Sequence, residues 1–123
     1  MACVLVVDDE EAVRSLLRKL LEREGHEVVV ASEGEAALTV YAEKAFDLVI
    51  TDLVMPKMSG LQAIDELLGA HPTARIIAIS GGGTRAGDPL LTSARELGAC
   101  VTLAKPFDRA ALLQAVAQAL EGS

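Results

Sequence analysis

Five short apolar runs recur along the chain, each followed by a stretch with helical spacing. They occupy residues 3–7, 27–31, 47–51, 75–80 and 100–104. Most are unbroken Val, Ile and Leu rather than alternating apolar and polar residues, the pattern of strands covered on both faces. After the first run, Val13, Leu16, Leu17, Leu20 and Leu21 repeat at helical spacing and Gly25 marks a stop. Leu38, Tyr41 and Ala42 form a second stripe, Leu61, Ile64 and Leu68 a third, and Leu113, Val116, Ala117 and Leu120 a last one. Segment 81–97 opens on Gly81, Gly82 and Gly83 and carries Pro89, so its helix is expected at or just after Asp88. This alternation favours an α/β fold: an open, doubly wound, five-stranded parallel sheet with five helices and right-handed crossovers.

A length of 123 residues suits one domain, expected over residues 1–123 with no separate output domain, since no repeat or linker is visible. The core must be aliphatic, because Tyr41, Phe46 and Phe107 are the whole aromatic complement. That scarcity disfavours a flavin carrier and a reader that stacks nucleic-acid bases. Eleven Lys and Arg against 18 Asp and Glu give a net charge of −7, with no basic cluster, so no nucleic-acid partner is expected. The apolar stretch 1–7 is far too short for a membrane span and lacks the flanks of a signal peptide, which makes the cytoplasm the expected location.

Five such strands suggest the order 2-1-3-4-5, one of the common doubly wound arrangements, with strands 1 and 3 adjacent at the switch point. Cys3 and Cys100 then lie three strand spacings apart, ~14 Å, too far for a disulfide. Ligands of such sheets bind outside the carboxyl ends of the strands. Those ends carry Asp8 and Asp9, then Asp52, Ser80 and Lys105. Crowded carboxylates repel unless a cation joins them, and an all-oxygen set with room for water suits Mg²⁺. An ionised Asp52 beside a divalent cation can act as a nucleophile and form an aspartyl phosphate. Lys105 supplies a positive group, and the Ser80 hydroxyl can donate to a phosphoryl oxygen. Plainer roles stand beside these: a helix cap for Asp8 or Asp9, charge balance for Lys105, a strand-end turn for Ser80. His26 and His71 are expected at the surface, and Phe107 before Asp108 reads as a hydrophobic staple with Leu112.

The stretches Val4-Leu5-Val6-Val7-Asp8-Asp9-Glu10, Asp52-Leu53-Val54-Met55-Pro56-Lys57-Met58-Ser59-Gly60, Ile79-Ser80 and Lys105-Pro106-Phe107 resemble the response-regulator receiver domains of two-component signalling. The resemblance implies that Asp52 accepts a phosphoryl group from a phosphohistidine of a histidine kinase or phosphotransfer protein. It implies that Asp9, Asp52 and the Val54 carbonyl hold Mg²⁺, with Asp8 acting through water, and that Ser80 and Lys105 contact the phosphoryl group. It also implies a cis peptide before Pro106 and a downstream protein target docking on strand 4, helix 4, strand 5 and helix 5.

The sequence departs from the family in three places. Thr102 stands where relatives usually carry the aromatic partner of the Ser80 switch. The stretch after Ser80 is about three residues longer than usual, which makes it a candidate mobile element. Val54 and Gly82, at positions that tune acyl-phosphate lifetime in relatives, offer no polar side chain, so self-dephosphorylation is expected to be slow. Gly81–Gly83 lacks the Lys-Ser/Thr ending of a phosphate-binding P-loop. A multiple-turnover aspartyl phosphatase is disfavoured because Val54 stands where its acid/base aspartate belongs. A constitutive interaction module that keeps only the fold is disfavoured by the complete set Asp8, Asp9, Asp52, Ser80 and Lys105.

Overall fold

The apolar runs form one parallel sheet: β1 (Cys3–Val7), β2 (Glu27–Ala31), β3 (Leu48–Asp52), β4 (Ile76–Ser80) and β5 (Val101–Ala104). Between and after them lie α1 (Glu11–Arg23), α2 (Gly34–Glu43), α3 (Gly60–Ala70), α4 (Pro89–Leu97) and α5 (Arg109–Glu121). This computed structural model describes residues 2–44, 46–55, 57–80 and 89–121. The strand order is β2-β1-β3-β4-β5, with every neighbouring pair parallel.

Successive strand residues point to opposite faces, so the unbroken runs feed two cores. On one face Leu5, Val7, Val49, Ile76 and Ala78 pack with Tyr41, Ile64, Leu67 and Ala94 of α2, α3 and α4. On the other, Val4, Val6, Leu48, Ile50, Ile77 and Ile79 meet Leu17 and Leu21 of α1 and Leu112 and Val116 of α5. Every residue of β3 and β4 is buried. Truncating a side chain such as Ile50 to Ala would cost about 2–5 kcal/mol.

Three strands begin one residue later than the sequence reading, and β3 also runs one residue further, to Asp52. Asp47 precedes β3 and instead accepts the Cys3 N–H on Oδ2 at 2.8 Å. Arg75 and Cys100 each add one backbone bond at the edge of the ladder, Arg75 as acceptor from Val49 and Cys100 as donor to Ile76, before the paired register begins. Leu16 is exposed at 53% because Leu17 and Leu21 face the sheet. Ala42 and Ala117 are exposed as well, and the buried stripe of α5 is Leu112, Ala115, Val116 and Ala119. Gly25 ends α1 at φ +90°, where an L side chain is strained, and its N–H bonds to the Glu22 carbonyl. α4 begins at Pro89, as proline at a first helical position allows.

Both cysteines are free thiols, as the strand spacing requires. The histidines are not bare surface groups. His26 Nδ1 accepts the Ala2 N–H at 3.1 Å, and the His71 ring lies 4.6 Å from that of Tyr41. Asp108 accepts the Ala111 N–H at 2.7 Å, while Phe107 and Leu112 share a core, which makes the staple. No helix among the described residues is long and apolar enough to cross a membrane.

Candidate functional site

Adjacent parallel strands bring their carboxyl ends together at one rim. Val7 pairs with Thr51, so the next residues, Asp8 and Asp52, lie side by side at the carboxyl ends of β1 and β3. Asp52 in turn pairs with Ile79, and Ser80 with Ala104, which places Ser80 and Lys105 at the following strand ends. Asp8, Asp52 and Ser80 are all buried, at 1%, 4% and 0% exposure, an unusual depth for carboxylates unless they are partnered.

Their partners are visible. Asp8 Oδ1 accepts the Glu10 N–H at 2.9 Å, and the Asp8 carbonyl accepts from Arg14 Nη1 at 2.7 Å. Asp52 Oδ1 accepts the Val54 N–H at 3.3 Å. The Lys105 Nζ lies 3.4 Å from Asp8 Oδ2, 3.4 Å from Asp52 Oδ2 and 3.7 Å from Glu10 Oε1. Its backbone is fixed by the bond from the Lys105 N–H to the Ser80 carbonyl at 2.8 Å. The Lys105–Pro106 peptide is cis.

Burial raises the Asp8 pKa above its ordinary value. The Glu10 N–H opposes that shift, Asp52 adds to it by repulsion, and Lys105 relieves part of it. For Lys105, burial works against the charged amine, but the attraction of Asp52 and Asp8 outweighs it and the net shift is upward. The pocket therefore favours a charged Lys105 and disfavours the ionised form of Asp8.

Carboxylate oxygens of Asp8, Glu10 and Asp52 all lie within 4.8 Å of one another, a hard-oxygen set of the kind that suits a small divalent cation. Asp9 is exposed and lies outside that group. The loop after Asp52 is pinned from several sides. Ser59 caps α3 by accepting the Gln62 N–H, Lys57 pairs with Glu33 at 3.5 Å, and Met58 packs on Gly34. Gly60 N–H donates to the Leu53 carbonyl at 3.0 Å.

A family model described as the response regulator receiver domain matches residues 4–117. The chain belongs to the response-regulator receiver family. The chemotaxis protein CheY of Thermotoga maritima is 34% identical over 114 residues, which cover 92% of either chain. The DNA-binding transcriptional regulator NtrC of Azospirillum brasilense is 38% identical over 124 residues, covering 99% of this chain and 25% of that protein. The receiver thus spans about a quarter of the length of several curated regulators it matches. Among solved structures, the receiver domain of NtrX from Brucella abortus superposes with a TM-score of 0.91 at 34% identity, covering 98% of this chain and 99% of that one. Phosphorylation and magnesium binding are general properties of receiver domains, and receivers interact with a histidine kinase or other phosphodonor.

Of the residues singled out from sequence, Asp8, Asp52 and Lys105 meet directly, and Ser80 closes the buried end of the same rim. Val54 is 57% exposed beside them. Thr102 sits in β5, its hydroxyl accepting from Arg95 Nη2 of α4 at 2.7 Å, so a polar tie between helix and strand stands at the expected aromatic position. Gly81–Gly83 and most of the lengthened stretch, residues 81–88, lie outside the described residues, as does Pro56. Three side chains were not evident from sequence: Glu10, Arg14 and Arg95. Glu10 was readable only as the residue after a double aspartate, and its reach to Lys105 depends on where α1 begins.

Proposed function

We propose that Asp52 is the phosphoacceptor of this receiver and takes its phosphoryl group from a phosphohistidine on a sensor kinase or phosphotransfer protein. The observation that carries the reading is the buried Asp52 carboxylate beside the Lys105 ammonium at 3.4 Å, at the open ends of β1, β3 and β4. In the transfer an Asp52 oxygen forms a bond to phosphorus as the P–N bond to the donor imidazole breaks. The bond pair returns to that ring, and the ring takes up a proton from solvent. Lys105 offsets charge arriving on the phosphoryl oxygens, and the Ser80 hydroxyl donates to one of them.

The oxygen-rich donor set fits magnesium. Asp8, Glu10 and Asp52 are the carboxylates grouped closely enough to hold the ion. The family pattern would add Asp9 and the Val54 carbonyl and have Asp8 act through water, although Asp9 is exposed and outside that group. When bound, the ion supplies positive charge against the transferring phosphoryl group.

Each acceptor reacts once and then waits for hydrolysis, so the receiver is a signalling device rather than a turnover enzyme. Its phosphorylated form favours one of two conformations and is read by a protein partner on β4, α4, β5 and α5, or gives its phosphoryl group onward in a relay. The acidic balance of the chain supports a protein partner over nucleic acid for this unit.

The test is exposure to acetyl phosphate with Mg²⁺, followed by intact mass. One phosphoryl adduct is expected, absent in Asp52→Asn and absent when the metal is chelated. An adduct that persists in Asp52→Asn overturns the assignment.

A further inference from the structure

Glu10 occupies the N-cap of α1, yet its side chain makes no capping bond. The short side chains of Asp, Asn, Ser and Thr at that position ordinarily serve the orphan backbone N–H groups of the first helical turn. Here the Glu10 carboxylate turns instead to Lys105, 3.7 Å away, while its own N–H is held by Asp8 Oδ1 at 2.9 Å. The backbone is thus anchored to the pocket floor, and the side chain, 63% exposed, forms the outer wall.

The charge balance gives that wall a consequence. Three carboxylates, Asp8, Glu10 and Asp52, face the ammonium of Lys105, with the Arg14 guanidinium on the Asp8 carbonyl, so acidic groups outnumber basic ones here. Such a pocket attracts a divalent cation and repels an anionic phosphodonor. Glu10 contributes to both effects without being buried. It is also the most exposed of the three carboxylates that face the Lys105 amine.

We propose that Glu10 is a positioning residue that sets the balance between these two charged guests, strengthening divalent-cation binding while slowing entry of the phosphodonor. The inference rests on the phosphoacceptor reading of Asp52. In the donor reaction an Asp52 oxygen bonds to phosphorus, the P–O bond of acetyl phosphate breaks, and acetate leaves with the electron pair. Glu10 takes no part in that exchange of bonds. It acts through the position of Lys105 and the local field.

The experiment compares wild type, Glu10→Gln and Glu11→Gln. Glu11→Gln removes one neighbouring charge in the first turn of α1, outside the carboxylate group. Mg²⁺ affinity is measured by calorimetry on unphosphorylated protein, and the adduct rate with acetyl phosphate is measured by intact mass at saturating Mg²⁺. Glu10→Gln is expected to weaken Mg²⁺ about tenfold, the scale of losing one close charge or outer-sphere partner. It is expected to raise the saturated rate about threefold, a change of well under 1.4 kcal/mol. Glu11→Gln should change each by less than about twofold, in keeping with a screened surface charge.

Opposite signs in the two measurements are the signature, because a loss of folded structure would lower both. Unchanged affinity and rate in Glu10→Gln overturn the inference, as do equal changes in Glu11→Gln or a fall in both quantities. If wild type binds no Mg²⁺ or gains no adduct, the phosphoacceptor reading itself fails. A functional wild type with an indifferent Glu10→Gln removes only the role of Glu10.

Discussion

Gly60 stands so close to Asp52 that a β-carbon built on it would overlap the Asp52 carbonyl oxygen and come within 2.5 Å of Leu53 Cα. Both obstacles are backbone, so no side-chain movement can relieve them. The first residue of α3 therefore packs against the turn that carries Asp52, and the Gly60 N–H donates back to Leu53. Gly60→Ala is expected to cost about 3 kcal/mol by urea denaturation, the upper part of the range for overpacking. It should also lower the rate of adduct formation at Asp52 in protein that remains folded. Wild-type stability in Gly60→Ala would show that the loop yields easily.

The raised pKa of Asp8 has a definite sign. Between its unfolded value near 3.8 and its higher folded value, the native state binds the extra proton. Stability attributable to this group is greatest below that window and falls as pH rises through it, so toward neutral pH Asp8 is a net burden. Asp8→Asn should therefore raise the melting temperature at pH 7 in metal-free buffer. The gain should shrink as the pH falls toward 4, and thermal melts across that range will show whether it does. The same variant should bind Mg²⁺ more weakly, since it lacks one carboxylate of the pocket.

The β–α alternation was legible because Val, Ile and Leu runs without polar interruption have few other uses at that length. The rim residues were legible because a doubly wound sheet leaves only its strand ends open to ligands. Side-chain reach was not. Nothing in the order of residues says that Glu10 bends toward Lys105 or that Arg95 meets Thr102, since both contacts depend on the placement of α1 and α4 against the sheet. The phase of α5 was also hidden. Ala110, Ala111, Ala115, Ala117 and Ala119 make that helix apolar on several sides, so the spacing alone does not single out Leu112 and Val116 as the inward pair. In α1 the doublets Leu16-Leu17 and Leu20-Leu21 offer two neighbouring stripes, and packing on the sheet chose Leu17 and Leu21.

Lys105 is the counter-charge for two buried acids, and removing it leaves them facing each other. Lys105→Met is expected to cost about 2 kcal/mol without metal. That is less than the 3–5 kcal/mol of breaking a fully buried pair, because Asp8 can take up a proton. Saturating Mg²⁺ should restore part of the loss, since binding at a hundred times Kd stabilises by about 2.7 kcal/mol. In wild type the raised lysine pKa adds an alkaline limit. Its contribution is fully present below the ordinary value of 10.5 and disappears as the pH climbs through the folded value. Thermal melts with and without Mg²⁺ test both statements. A Lys105→Met protein as stable as wild type without metal would mean that the two acids need no counter-charge.

With Asp52 as the proposed phosphoacceptor, the lifetime of the phosphorylated state would depend on whether any side chain can hold a water in line with the Asp52–phosphorus bond. Val54 projects at the mouth of the pocket, 57% exposed, with no polar atom on its side chain, and its N–H is already given to Asp52 Oδ1. Gly82, the other position singled out for this role, lies outside the described residues. A water above the acceptor therefore gains no orienting partner from Val54, and the acyl phosphate is expected to persist for many minutes after the donor is removed. Val54→Gln adds an amide that can accept from and donate to such a water, which should speed loss of the adduct about tenfold, at the low end for a positioned polar group in proton-transfer chemistry. Decay of the phosphoryl mass after rapid desalting measures both rates. A wild-type half-life of seconds would locate the hydrolytic water on a group other than Val54.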